Sequence, residues 1–182
     1  MTGDVFMNTD LSPSTINALR EQNLIFKKAI ESDTDEIYNL FLERRKWFTE
    51  RGIDQWQDRF FGNFKPETLK EIINTSNYFV IKDNDKIIAG FELSTNSTYW
   101  NDEITLAYYI YKVVTKSNYK NIGNFIFMIS QDLARKNNKK ALRLDCLTYN
   151  EKLNEVYESH GFKLVDSGKD DYYFYNLREL IL

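Results

Sequence analysis

Residues 142–162 read Leu142-Arg143-Leu144-Asp145-Cys146-Leu147-Thr148-Tyr149-Asn150-Glu151-Lys152-Leu153-Asn154-Glu155-Val156-Tyr157-Glu158-Ser159-His160-Gly161-Phe162. Alternating apolar positions from Ala141 to Leu147 predict a strand. Asn150 is placed to cap the helix that follows, from about Glu151 to His160, and Gly161 suits its end. Asn150, Asn154 and Tyr157 fall at i, i+4 and i+7 and so share one helical face, which leaves Leu153 and Val156 to pack on a sheet. On the residues alone the plainer reading leads: Asn150 is a cap, and Tyr157 fills the core with its hydroxyl bonded.

Working outward toward the N-terminus, Ile104 to Val114 is a long run rich in β-branched and aromatic residues and predicts another strand. A helix from about Ile122 to Asn137 lies between the two. Tyr78 to Lys82 and Lys86 to Leu93 flank Asp83-Asn84-Asp85 and read as a hairpin. Before it come a strand from Leu24 to Ala29, a helix capped within Ser32-Asp33-Thr34 and running to about Arg51, and a second helix from Pro66 to about Asn74. Two closing strands are expected near Phe162 to Asp166 and Tyr172 to Leu177. The alternation of strands and helices around one hairpin predicts an α/β (α+β) domain, with a mixed, mostly antiparallel sheet and helices on both faces. That domain is assigned residues 24–182. Residues 1–23, polar except for a short helix from Ser12-Pro13-Ser14 to Leu19, are read as an N-terminal appendage.

With 182 residues, the chain fits one domain plus that appendage, and 42% hydrophobic with 28% charged residues is the balance of a globular protein. A net charge of -3 supplies no basic field, so nucleic acid is not an expected partner. One His and one Cys make neither an internal disulfide nor a Cys/His metal site of the usual kind, so no metal is expected. No segment nears the ~20 apolar residues of a membrane helix. The first 23 residues lack a basic start and an apolar stretch, and the expected location is cytoplasmic.

The turn Ser117-Asn118-Tyr119-Lys120-Asn121-Ile122-Gly123-Asn124 sits between strand and helix, where free amides and the positive end of the helix dipole suit phosphate. Lys116 and Lys120 can add charge. Alone, one Gly among several Asn reads first as a plain turn.

Taken with that turn, residues 142–162 strongly resemble the strand, Asn, helix, Tyr, Gly-Phe signature that closes the coenzyme A site in the GNAT superfamily of N-acetyltransferases. In the superfamily's pyrophosphate loop, Asn118 stands in place of Arg or Gln, Asn121 in place of the first Gly, and Gly123 at the second. Asn tolerates left-handed backbone angles better than most residues. The resemblance covers roughly Leu24 to Leu177 in element order. It implies a parallel strand pair splayed apart, Ile104–Val114 and Ala141–Leu147, with acetyl-coenzyme A between them. The backbone at Val113 and Val114 would then meet the pantetheine arm. Asn118, Lys120, Asn121, Ile122, Gly123 and Asn124 would meet the phosphates, and Asn150, Asn154 and Tyr157 would line the cofactor from the last helix.

The implied chemistry is direct attack of a small-molecule or peptide amine on the acetyl thioester. Tyr157 is the expected acid for the leaving thiolate, and Glu92 and Glu103 are the expected bases, set against the rule that most surface carboxylates are only solvated. Trp47 and Trp56 fall where the superfamily binds its acceptor, though aromatics at such spacing serve equally as core. His160 reads as a helix-end cation before Gly161. Cys146, inside an alternating strand and without a partner His, reads as packing in preference to a nucleophile. Two non-catalytic readings stay open, an acyl-coenzyme A sensor and a protein-interaction domain, as does a homodimer.

Overall fold

The computed structural model describes residues 10–56, 61, 63–100, 106–171 and 173–182. Side-chain alternation sets its layers: along the strand Lys86–Ser94, Ala89, Phe91 and Leu93 enter one core, whereas Gly90 and Glu92 turn to the other face. In chain order the elements are α1 (Pro13–Glu21), β1 (Leu24–Lys28), α2 (Thr34–Thr49), α3 (Pro66–Thr75), β2 (Tyr78–Asp83), β3 (Lys86–Ser94), β4 (Ala107–Thr115), α4 (Ile122–Lys136), β5 (Ala141–Leu147), α5 (Glu151–Ser159), β6 (Lys163–Lys169) and β7 (Phe174–Ile181). The strands form one sheet in the order β1-β2-β3-β4-β5-β7-β6. All neighbours are antiparallel except β4 and β5.

The principal core joins α1 and α4 to one face, where Leu19, Ile126, Ile129 and Leu133 meet Phe79, Phe91, Tyr108 and Leu142, with Leu153 and Tyr157 of α5 at its edge. On the opposite face Ile37, Leu40 and Phe41 of α2 and Leu69 and Ile73 of α3 close over Tyr78, Val80 and Val114. Both amphipathic sets bury their apolar stripes, so the sheet is covered on both sides as its patterning required. Within the described residues, no helix is long and apolar enough to cross a membrane.

The parallel pairing of β4 and β5 comprises Ala107 with Ala141, Tyr108 with Leu142 and Tyr109 with Arg143, and stops there. Both strands nevertheless continue, β4 paired with β3 through Thr115 and β5 with β7 through Leu147. Their carboxyl ends therefore part, opening a gap in the sheet where ligands of α/β folds characteristically bind.

A bulge bends β4 at this opening. Gly90 pairs with Val114 but Glu92 pairs with Tyr111, which leaves one extra residue in β4, and Lys112 takes φ 46. Tyr78 holds the bulge by donating its hydroxyl to the Lys112 carbonyl at 3.1 Å. The ring reaches that carbonyl across Gly90, where a Cβ would lie 2.8 Å from the Tyr78 oxygen.

The closing strands run to Lys169 and Ile181, longer than their apolar runs, because β7 is paired on both edges and β6 extends along it despite polar side chains. The expected strand start at residues 104–105 lies outside the described residues. The helix set apart with the N-terminal appendage is seated on the core: Leu11 and Leu19 are buried, and the Ser12 amide and hydroxyl both donate to Asp132 of α4, at 2.9 and 2.8 Å.

Candidate active site

At one end of the gap, β4 runs into the turn that starts α4. Asn121 caps the helix with φ 59 and ψ 10, the left-handed conformation that an Asn at a glycine position can supply. Its side chain makes no capping bond, and among the described residues the amides of Ile122 and Gly123 have no partner. These donors and the helix dipole are left for an anion. Nothing lies within 4 Å of a Cβ built on Gly123, so the surface is open there. Asn118, Lys120 and Asn124 are exposed around it and Ile122 anchors the turn in the core.

Two contacts fix the turn from outside. Arg44 of α2 donates to the Thr115 carbonyl through Nε at 3.0 Å and to the Thr115 hydroxyl at 2.6 Å. His160 lies with Nδ1 2.8 Å from the Val156 carbonyl and Nε2 3.0 Å from Asn124 Oδ1. It thus closes α5 and ties that helix to the start of α4.

The rim of the gap belongs to β4 and α5. The β4 edge facing β5 has no strand partner beyond Tyr109; along it Val113 is half-buried and Val114 buried. Asn150 accepts from the Leu153 amide at 3.2 Å and donates to Gln55 Oε1 at 3.2 Å, so it caps α5 and holds the loop at residues 53–56. Asn154 is spent inside the fold. Its amide donates to the carbonyls of Leu147 and Asn150, each at 2.9 Å, and its oxygen accepts from Asn176 and Arg178, each at 2.9 Å.

Tyr157 packs edge-on against Phe127 and Phe162, while its hydroxyl has no hydrogen-bond partner among the described residues. Burial, with the nearby Cys146 and Asp145 adding to it, pushes this phenol well above its ordinary range, so it stays protonated. Cys146 donates to Asn154 at 3.2 Å, and burial pushes its thiol up to about 11. A buried thiol of that kind is no nucleophile.

Across the sheet, Glu92 is buried and bound to Lys112 Nζ at 2.6 Å. Glu103 lies outside the described residues. Trp56 packs on Phe41 and Phe48, with centroids 5.0 and 5.4 Å away, in the wall beside the loop that Asn150 holds. Trp47 is farther out, between the guanidinium groups of Arg44 and Arg51, 5.2 and 4.2 Å from its ring.

The sequence reading passed over Asp145, which lies two residues past the last parallel pair on the face shared by Arg143, Tyr109 and Tyr111. Among the described residues its carboxylate has no ion pair and no bond to another residue. Burial, with the Asp170 charge adding, pushes it up to about 6 against the pull of its own amide and Lys112. The available signal was an ionisable residue inside a strand whose alternate positions, Leu144 and Cys146, are core.

Residues 35–162 match the sequence profile of the Acetyltransferase (GNAT) family. The chain is 20% identical over 158 residues to the uncharacterized N-acetyltransferase YesJ of Bacillus subtilis, covering 81% of this chain and 86% of that one. Among solved structures it is similar to a GNAT-family acetyltransferase from Streptococcus agalactiae, with TM-score 0.73, 15% identity, and 88% and 96% of the two chains covered. It is also similar to the PaiA N-acetyltransferase from Thermoplasma acidophilum in complex with coenzyme A, with TM-score 0.67, 18% identity, and 87% and 99% covered. With a profile spanning most of its length and a sheet that parts at a parallel strand pair, the chain belongs to the acetyltransferase (GNAT) family.

Proposed function

We propose that this protein transfers the acetyl group of acetyl-coenzyme A to the amine of a small molecule or peptide, by direct attack and without a covalent enzyme intermediate. One observation carries the reading. The gap between β4 and β5 has free helix-start amides at one end, and the unbonded Tyr157 hydroxyl lies where it feels Cys146 and Asp145 of β5. The donor fits this set. Phosphates would be held by the amides of Asn121, Ile122 and Gly123 with Asn118 and Lys120 beside them, the Asn124 amide donating instead to the Asn121 carbonyl at 3.0 Å. The pantetheine arm would be held by the bare β4 edge at Val113 and Val114. Asn150 and Asn154 hold the α5 wall. The relative from Thermoplasma acidophilum binds coenzyme A on the same fold.

Bound there, acetyl-coenzyme A supplies an activated acyl group. The protein's share is to orient it, to polarise the carbonyl with β4 amides, and to move protons. Tyr157 is the donor for the leaving thiolate, its raised pKa keeping the proton in place until charge develops. A carboxylate on the acceptor side takes the amine proton. Glu92 was the expected base within the described residues, and its 2.6 Å pair with Lys112 occupies it. Trp56 forms part of the acceptor wall, with Trp47 outside it. The test is thiol release from acetyl-coenzyme A across a panel of amines, with calorimetry against coenzyme A. Binding without release would leave a sensor of acyl-coenzyme A, and loss of both would leave an interaction domain.

A further inference from the structure

We infer that Asp145 is the catalytic base, a carboxylate that receives the acceptor as a protonated amine at the gap between β4 and β5 and takes its proton. The inference rests on the acetyl-transfer reading and deepens it.

The position is built by the sheet. Across one row lie Glu92 of β3, Tyr111 of β4, the gap, Asp145 of β5 and Leu177 of β7. Asp145 is thus the carboxylate at the lip of the opening, on the face opposite Cys146, which turns toward Asn154 and α5. Other acids on this face are engaged. Glu92 holds Lys112 at 2.6 Å, Glu179 holds Arg143 at 2.7 Å, and Asp170 accepts the Tyr99 hydroxyl at 2.7 Å and the Tyr173 amide at 2.7 Å. A half-buried carboxylate without a partner is costly, and such sites are kept where a ligand supplies the missing partner. The aromatic rings beside Asp145 are engaged with the protein's own cations: the Arg143 guanidinium lies 4.2 Å from Trp100 and 6.0 Å from Tyr109, and Lys112 Nζ lies 5.8 Å from Tyr111.

The step balances. The amine arrives as an ammonium paired by Asp145 and gives it one proton, which frees the nitrogen lone pair. The neutral amine then attacks, the N–C bond forms, the C–S bond breaks and the departing thiolate takes the Tyr157 proton. The second nitrogen proton, shed as the amide forms, passes to water, and solvent reprotonates Tyr157. Base and acid lie on opposite faces of the sheet, so the two transfers do not compete for one side of the carbonyl. A carboxylate with its pKa at about 6 is ionised at neutral pH and is a stronger base than an exposed one.

Groups facing Asp145 predict how its titration moves. Lys112 of β4 lowers it, and Asp170 in the turn between β6 and β7 raises it. Tyr111 of β4, Tyr99 of the preceding loop, Tyr157 of α5 and the adjacent Cys146 thiol all feel its charge.

The experiment is the pH profile of kcat/KM for the full chain with its best amine, alongside calorimetry with coenzyme A. Wild type should lose activity as pH falls through about 6. Asp145→Asn should lower kcat/KM by about 10²- to 10⁴-fold and abolish that limb with coenzyme A affinity unchanged. Asp170→Asn, which removes a like charge, should move the limb to lower pH. If Asp145→Asn fails to bind coenzyme A, the limb shift in Asp170→Asn and a restored limb in Asp145→Glu decide. An Asp145→Asn enzyme within twofold of wild type, or a limb that stays put in Asp170→Asn, overturns the assignment alone. A wild type inert toward every amine overturns acetyl transfer, and this assignment with it.

Discussion

Replacing Asp145 by Asn should stabilise the fold at neutral pH while it disables the chemistry. Burial raises this carboxyl from 3.8 to about 6, so the folded state favours the protonated form and penalises the ionised one. The sign follows from linkage. The native state binds the proton more tightly than the unfolded chain, so this group's favourable contribution is complete below pH ~4 and is lost as pH rises through about 6. Two pKa units at 1.36 kcal/mol each set a ceiling of about 3 kcal/mol on the penalty carried at pH 8. An amide at the same place still lacks a partner, which reduces the gain to about 1–2 kcal/mol. Urea unfolding followed by tryptophan fluorescence, at pH 4.5 and at pH 8, should show the variant more stable at the higher pH and nearly equal at the lower. The difference cancels carboxylates common to both proteins, including Asp33, whose burial penalty is outweighed by the Ile30 amide, Lys27 and Lys82. A variant less stable than wild type at pH 8, or a difference independent of pH, would refute a sheltered, unpaired carboxylate.

Tyr157→Phe keeps the ring against Phe127 and Phe162 and should lower kcat by roughly 10²-fold with coenzyme A affinity unchanged, read by steady-state rates and calorimetry. Gly123→Asp has room in the fold and should weaken coenzyme A binding by several kcal/mol, about 10²-fold or more, by setting a carboxylate against the phosphates. Gly90→Ala drives a Cβ to within 2.8 Å of the Tyr78 hydroxyl and should cost about 1–3 kcal/mol in chemical denaturation while disturbing the β4 bulge. Asn154→Leu leaves buried Asn176, Arg178 and two carbonyls short of partners and should destabilise by about 3 kcal/mol or more, measured the same way.

Long-range order was legible in the sequence wherever apolar periodicity was strong. The β2–β3 hairpin, α4 and the β5–α5 unit fall within a residue or two of their expected bounds, because Asn84, Asn121 and Gly161 supply the positive φ that their turns need. The parting of β4 from β5 followed from the resemblance, since no local propensity encodes where a parallel pair separates. Side-chain partnerships across the sheet were illegible. Glu92 and Lys112 meet only because a bulge adds a residue to β4, and Asn154 meets Arg178 only because β7 returns beside β5. Asp145 was in plain view in the opening stretch, but its isolation depends on which acids nearby found partners. Arg44 was hidden for a related reason: its grip on Thr115 spans 71 residues.

The central claim is tested most directly by incubating the protein with acetyl-coenzyme A and a panel of amines, following free thiol and identifying the acylated amine by mass. Acetyl transfer predicts thiol release that depends on one class of amine, matched mole for mole by an acetylated product carrying a new N–C bond. Coenzyme A that binds in calorimetry but is never released from its thioester, whatever amine is offered, would contradict it.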